Sequence, residues 1–124
     1  MHALPQKEPD STKVLDRDDL WERVDGDIEL FEHARELFLR DAPTLVQKIQ
    51  QTIASGEANS LASAVHEFKG MAVNLSAGTV AKAARKLELI SRGDSLGGAS
   101  NACDELAREL DRFYRELADF EASE

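Results

Sequence analysis

Histidine, lysine and glycine stand close together in the run Ala64-Val65-His66-Glu67-Phe68-Lys69-Gly70-Met71-Ala72-Val73-Asn74. The apolar residues around them recur at helical spacing, so His66, Lys69 and Gly70 are expected on one face of an amphipathic helix. A neutral imidazole is nucleophilic near physiological pH, a lysine one turn away can hold an anion against it, and glycine leaves room for a large reactant. The chemistry this suggests is phosphoryl transfer through histidine.

That helix is expected over Ala58 to Leu75, with Leu61, Val65, Phe68, Ala72 and Leu75 as its buried seam. Before it, Asp27 is a reasonable N-cap for a helix carrying Ile28, Leu30, Phe31, Ala34, Leu37 and Phe38 at spacings of three and four. Pro43 predicts either a kink near Asp41 to Pro43 or a fresh start, and the pattern resumes with Leu45, Val46, Ile49 and Ile53 up to a stop at Gly56. After the histidine helix, a further helix over Thr79 to Ser91 buries Val80, Ala83 or Ala84, Leu87 and Ile90. The last, starting between Ser95 and Ser100, carries Cys103, Leu106, Leu110, Phe113, Leu117 and Phe120. A short amphipathic segment around Asp16 to Val24 offers Leu15, Leu20, Trp21 and Val24 to the core and ends at Gly26.

No stretch alternates with period two, so the expected fold is all-α: an antiparallel up-down four-helix bundle with a short additional N-terminal helix. Residues 1–12 read as a flexible N-terminal tail, 13–120 as one helical domain and 121–124 as a C-terminal tail. With 42% apolar residues in 124, a single packed core is within reach.

The formal net charge of −9 argues against nucleic acid and against an anionic membrane surface, both of which attract cations. Proteins are the expected partners, and a chain so charged is expected to be a soluble monomer. One cysteine, Cys103, cannot form an internal disulfide, and it falls on an apolar seam where a thiol is inert. His2, His33 and His66 share no ligand spacing, so no metal site is expected. No apolar run approaches a membrane span or a secretory signal, and a cytoplasmic location is expected.

At ~100° per residue from the seam at Leu61, His66 falls roughly 140° away and therefore outward, with Lys69 on the flank. Gly70, Val73 and Ala77 fall near the imidazole, which leaves it without a bulky neighbour. Ala62, Val73 and Ala77 are thus the positions expected to touch a partner protein, since a flat apolar patch around a reactive group suits docking. Gly70 costs the helix roughly 1 kcal/mol relative to alanine, so function or packing must require it. An exposed helical histidine alone is ordinary surface; the lysine at i+3 and the glycine at i+4 distinguish this one.

The run His66-Glu67-Phe68-Lys69-Gly70-Met71-Ala72-Val73-Asn74-Leu75-Ser76-Ala77, with Leu87-Glu88 downstream, resembles the histidine-containing phosphotransfer (HPt) domains of multistep phosphorelays. The signature is His-x-x-Lys-Gly, then Asn and a small pair, then Leu-Glu in the next helix. Phe38-Leu39-Arg40-Asp41-Ala42-Pro43 and the helix order extend the likeness over roughly residues 14 to 120. Ser76 departs from it, standing where the family often has glycine.

The resemblance implies that His66 accepts a phosphoryl group from the aspartyl phosphate of a response-regulator receiver domain, free-standing or within a hybrid histidine kinase, and passes it to another receiver. Lys69 would steady the phosphoryl oxygens and Gly70 would admit the receiver. Such a carrier has no independent turnover. It needs no cofactor of its own; Mg²⁺ is expected in the receiver, because no carboxylates cluster near His66 in the sequence. Lys82, Arg85 and Lys86 are further cations that could lie near the phosphoryl group or be plain solvated surface.

Two other readings fit less well. The phosphoacceptor helices of a sensor histidine kinase also have His followed by an acid, but that motif continues with Arg, Thr and Pro, where this chain has Lys69, Gly70 and Met71. A helical adaptor without phosphorylation would behave identically with His66 or with glutamine in its place.

Overall fold

The computed structural model describes residues 8–122 and is helical throughout, with no strand among the described residues. Five helices follow in order: α1 Arg17–Val24, α2 Ile28–Ser55, α3 Ala58–Asn74, α4 Gly78–Ser91 and α5 Ala99–Ala122. α3 packs between α2 and α4, α5 packs on α4 and returns to α2, and α1 rests on α2. Phe31, Phe38, Phe68 and Phe113 are fully buried, joined by Leu20, Ile49, Leu61, Leu87 and Leu106. Phe38 meets Phe68, Phe113 and Tyr114 at ring-centroid distances of 6.3, 5.4 and 6.1 Å, tying α2, α3 and α5 together.

Short polar residues start and stop these helices. Asp16 caps α1, its carboxylate accepting from the Asp19 backbone N–H, and Asp27 caps α2 through Leu30 N–H. α2 ends at Gly56 in the left-handed region, with the Gly56 and Glu57 amides returned to the Ile53 and Thr52 carbonyls. α3 ends the same way: Ala77 N–H donates to Ala72 and Ser76 N–H to Val73.

α2 is continuous through Pro43, with neither break nor restart. Proline withholds one N–H from the Leu39 carbonyl, and both residues lie on the exposed side, where water can take that carbonyl. The apolar face of α2 is also narrower than its sequence suggests. Phe31, Phe38, Ala42, Leu45 and Ile49 are buried, whereas Ile28, Leu30 and Leu37 are exposed. With 28 residues against the 17 of α3, α2 overhangs its neighbour, and only the sector reached by α1 and α5 is covered there. Trp21, expected in the core, is likewise 37% exposed and meets Phe120 at a tilt of 53°, ring centroids 5.8 Å apart.

The N-terminal segment is not the loose tail its composition implies. Residues 1–7 of that expected tail lie outside the described residues, but residues 8–16 form a strap over the α3–α4 connection. Asp10 closes a turn by accepting from the Thr12 amide and hydroxyl, and Asp16 Oδ2 accepts from Asp10 N–H. The strap then bonds to the connection itself: Asp16 N–H to the Ser76 carbonyl at 2.9 Å, and Thr79 N–H to the Lys13 carbonyl at 3.0 Å. Gly78 permits this approach, since a Cβ there would collide with the Asp10 and Lys13 carbonyl oxygens. At the other end, α5 continues through Ala122 where a tail from 121 was expected, and residues 123–124 lie outside the described residues.

Candidate functional site

The seam of α3 faces the core through Leu61, Val65, Phe68 and Ala72, all buried, which turns His66 outward with its side chain 68% exposed. Lys69 lies on the flank toward α4 and Gly70 is exposed. A Cβ on Gly70 would meet nothing within 4 Å. No packing among the described residues therefore requires glycine at this helical position.

α4 supplies the residue that joins these groups. Glu88 sits in the α3–α4 groove with its side chain 7% exposed. Its Oε1 accepts from Lys69 Nζ at 3.0 Å, and its Oε2 is 3.0 Å from His66 Nδ1 and accepts from Arg92 Nη2 at 3.2 Å. Burial pushes the Glu88 carboxyl up, but hydrogen bonds from Lys69 and His66 and the charges of Lys69 and Arg92 outweigh it and hold the group below its usual range. The carboxylate stays ionised and can only accept, so Nδ1 must carry the imidazole proton. In the neutral ring Nε2 then keeps its lone pair. With neutral His66, the carboxylate and two cations leave one surplus positive charge beside an open nucleophile.

In the sequence Glu88 stands out only as part of the Leu-Glu match and Arg92 only as the helix end before Gly93. Their signal was Glu88 four residues before Arg92, on the margin of the α4 seam beyond Leu87. Of the cations that could have lain near the phosphoryl group or been plain solvated surface, Lys86 Nζ donates to Glu105 of α5 at 3.1 Å and Arg85 pairs with Glu8 of the strap. Lys82 is exposed.

Ala77 cannot serve as a contact surface, because it is fully buried. The angular reading carried α3 past Asn74, whereas the helix ends there and Ala77 becomes the cap of α4. Ala62 and Val73 are partly buried on the α4 side of α3, Val73 against the core. Ser76 holds φ +57°, the left-handed region in which glycine is favoured. Its hydroxyl donates to buried Asp19 at 2.7 Å, and Asp19 also accepts from Arg23 Nε at 2.6 Å.

His33 is exposed on α2, and His2 lies outside the described residues. Cys103 is buried, and burial together with nearby Asp104 raises its thiol above the ordinary range. Among the described residues, no three His, Cys, Asp or Glu side chains converge as metal ligands.

The family model of the Hpt domain matches residues 33–116, most of the chain, so the chain belongs to the Hpt domain family. Membership ties it to histidine phosphotransfer in two-component phosphorelays and to the receiver domains of response regulators, and Hpt domains act as carriers of the phosphoryl group. No curated protein and no solved structure matches it. No helix among the described residues is long and apolar enough to cross a membrane.

Proposed function

We propose that His66 is the phosphoacceptor of a cytoplasmic, monomeric relay carrier, loaded by the aspartyl phosphate of one receiver, free-standing or in a hybrid kinase, and unloaded onto the aspartate of another. The observation that carries this reading is the 3.0 Å contact of His66 Nδ1 with Glu88 on a side chain that is 68% exposed, which in the neutral ring assigns the proton to Nδ1 and the lone pair to Nε2. The Nε2 lone pair attacks phosphorus, the bond from phosphorus to the aspartyl oxygen breaks, and the carboxylate leaves with its electron pair. The unload runs in reverse, with an aspartate oxygen attacking and imidazole leaving.

Lys69 and Arg92 steady the charge on the moving phosphoryl group, for which either can exchange part of its bond to Glu88. Gly70 gives the receiver room. Mg²⁺ belongs with the receiver: the one carboxylate beside His66 already accepts three donors, a poor set for a hard dication. The supporting unit is read as an antiparallel up-down bundle of α2–α5 with α1 added, in keeping with its short links and its ring of neighbours. Its limits are put at residues 8–122.

The test mixes the chain with radiolabelled phosphoreceivers charged by acetyl phosphate. Wild type is expected to take base-stable, acid-labile label, and His66→Gln to take none while keeping its helical circular dichroism. Equal labelling of the two would sink the reading.

A further inference from the structure

A phosphoryl group on His66 would change the charge of the whole cluster, and Glu88 is placed to answer it. Glu88 supplies the one carboxylate within ion-pair distance of the ring among the described residues. Its side chain is 7% exposed, and its oxygens are held by Lys69 from α3 and by Arg92 along α4, which fixes it against Nδ1. Held below the usual carboxylate range against the pull of its burial, it is ionised wherever an imidazole titrates. Glu67, next along α3, is exposed and makes no bond to the ring, and α2, the other helix packed on α3, brings no carboxylate to it.

While the ring is neutral and unloaded, one carboxylate and two cations leave a surplus of one positive charge. A phosphoryl group on Nε2 brings about two negative charges. If Nδ1 keeps its proton, the ring becomes cationic and the cluster closes at neutrality. If Nδ1 gives the proton up, one negative charge is left over, and Glu88 Oε2 faces a ring lone pair at 3.0 Å with no proton between the two acceptors. Opposite charge at that distance favours the protonated ring. The chemistry differs too. A ring protonated on Nδ1 leaves phosphorus as neutral imidazole, the electron pair of the P–N bond staying on Nε2, whereas an unprotonated ring must leave as an imidazolate anion, a far poorer leaving group.

We propose, resting on the relay reading above, that the charge of Glu88, beyond its hydrogen bond, keeps the proton on Nδ1 of phosphorylated His66 and so holds the phosphoryl group in its transferable form above the pH at which a free imidazole loses its proton. Glu88 is in this a positioning residue that acts through His66. A loaded chain is then ready to transfer. Without a receiver it loses its label to water, whose oxygen attacks phosphorus as the P–N bond breaks and inorganic phosphate departs.

The test loads the whole chain with radiolabelled phosphoramidate, which passes its phosphoryl group to Nε2 with loss of ammonia, then removes the donor and follows the decay of label with pH. Glu88→Gln is the informative variant, because an amide can donate to an unprotonated Nδ1 or accept from a protonated one and so keeps the contact without the charge. At about pH 7.5 its label is expected to outlast that of wild type about fivefold, and below about pH 5.5, where both rings are protonated, the two are expected to decay alike. Wild type alone gives a second reading: the imidazole nitrogen NMR shifts of the loaded chain should report Nδ1 still protonated at about pH 7.5. Equal decay of wild type and Glu88→Gln at every pH overturns the proposal and leaves the relay standing, and so does a loaded wild type whose Nδ1 has lost its proton there. If neither phosphoramidate nor a phosphoreceiver puts label on His66, the relay reading falls and the proposal with it.

Discussion

Glu88 does two things at once at the level of single residues, and they can be measured apart. It fixes the imidazole tautomer through Nδ1 and it holds Lys69 in the groove. Glu88→Ala is expected to slow His66 labelling by receiver on the order of 100-fold, because the ring loses its orientation, with helix content retained. Acid has a related effect. Because the folded Glu88 carboxyl sits below its ordinary value of 4.5, its contribution to stability is fully present above that value and is lost as pH falls through the folded one. The difference in urea midpoint between wild type and Glu88→Gln should therefore be constant near neutrality and shrink below pH 4.5. Gly70 makes the opposite kind of prediction, since no packing among the described residues needs it. Gly70→Leu should raise stability by about 0.5–1 kcal/mol in urea melts while cutting receiver transfer on the order of tenfold.

Helices and their connections carry the next set of effects. The link between α3 and α4 combines a left-handed Ser76, a buried Asp19 that ties it to α1, and a strap seated on Gly78. Ser76→Gly relieves about 1 kcal/mol of backbone strain but forfeits a hydrogen bond to a charged acceptor, which is worth about 1.5–3 kcal/mol. A net destabilisation of about 1 kcal/mol is expected in denaturant midpoints. Gly78→Ala drives a methyl into two carbonyl oxygens and should cost about 1–3 kcal/mol, with faster hydrogen exchange at the Asp16 and Thr79 amides, whose partners are the Ser76 and Lys13 carbonyls.

At the scale of the whole molecule, charge is unevenly spread. Glu8, Asp10, Asp16, Asp18, Asp19 and Glu22 line, with Lys13, a cavity of about 330 Å³ between the strap and α1, while Lys69 and Arg92 are the cations that meet Glu88 beside His66. A net charge of −9 repels itself, and added salt screens that repulsion. Raising sodium chloride is expected to lift the melting temperature modestly.

Periodicity and spacing were enough for the five helices, the caps at Asp27 and Gly56, and the outward histidine with Lys69 and Gly70 near it, because each depends on residues within a few turns. Three things depended on distant segments meeting. Glu88 reaches His66 across 22 residues, and no periodicity within α3 or α4 reports that pairing. Ala77 leaves the surface because α3 stops at Asn74 and the strap covers the connection, a contact that the Pro- and Ser-containing composition of residues 8–12 conceals. Trp21, Ile28, Leu30 and Leu37 look like core in one dimension yet remain exposed, since burial is decided by which faces the neighbouring helices are long enough to cover. Local hydrogen bonding and side-chain spacing write the helices into the chain, whereas the pairing of His66 with Glu88 exists only once α3 and α4 have packed.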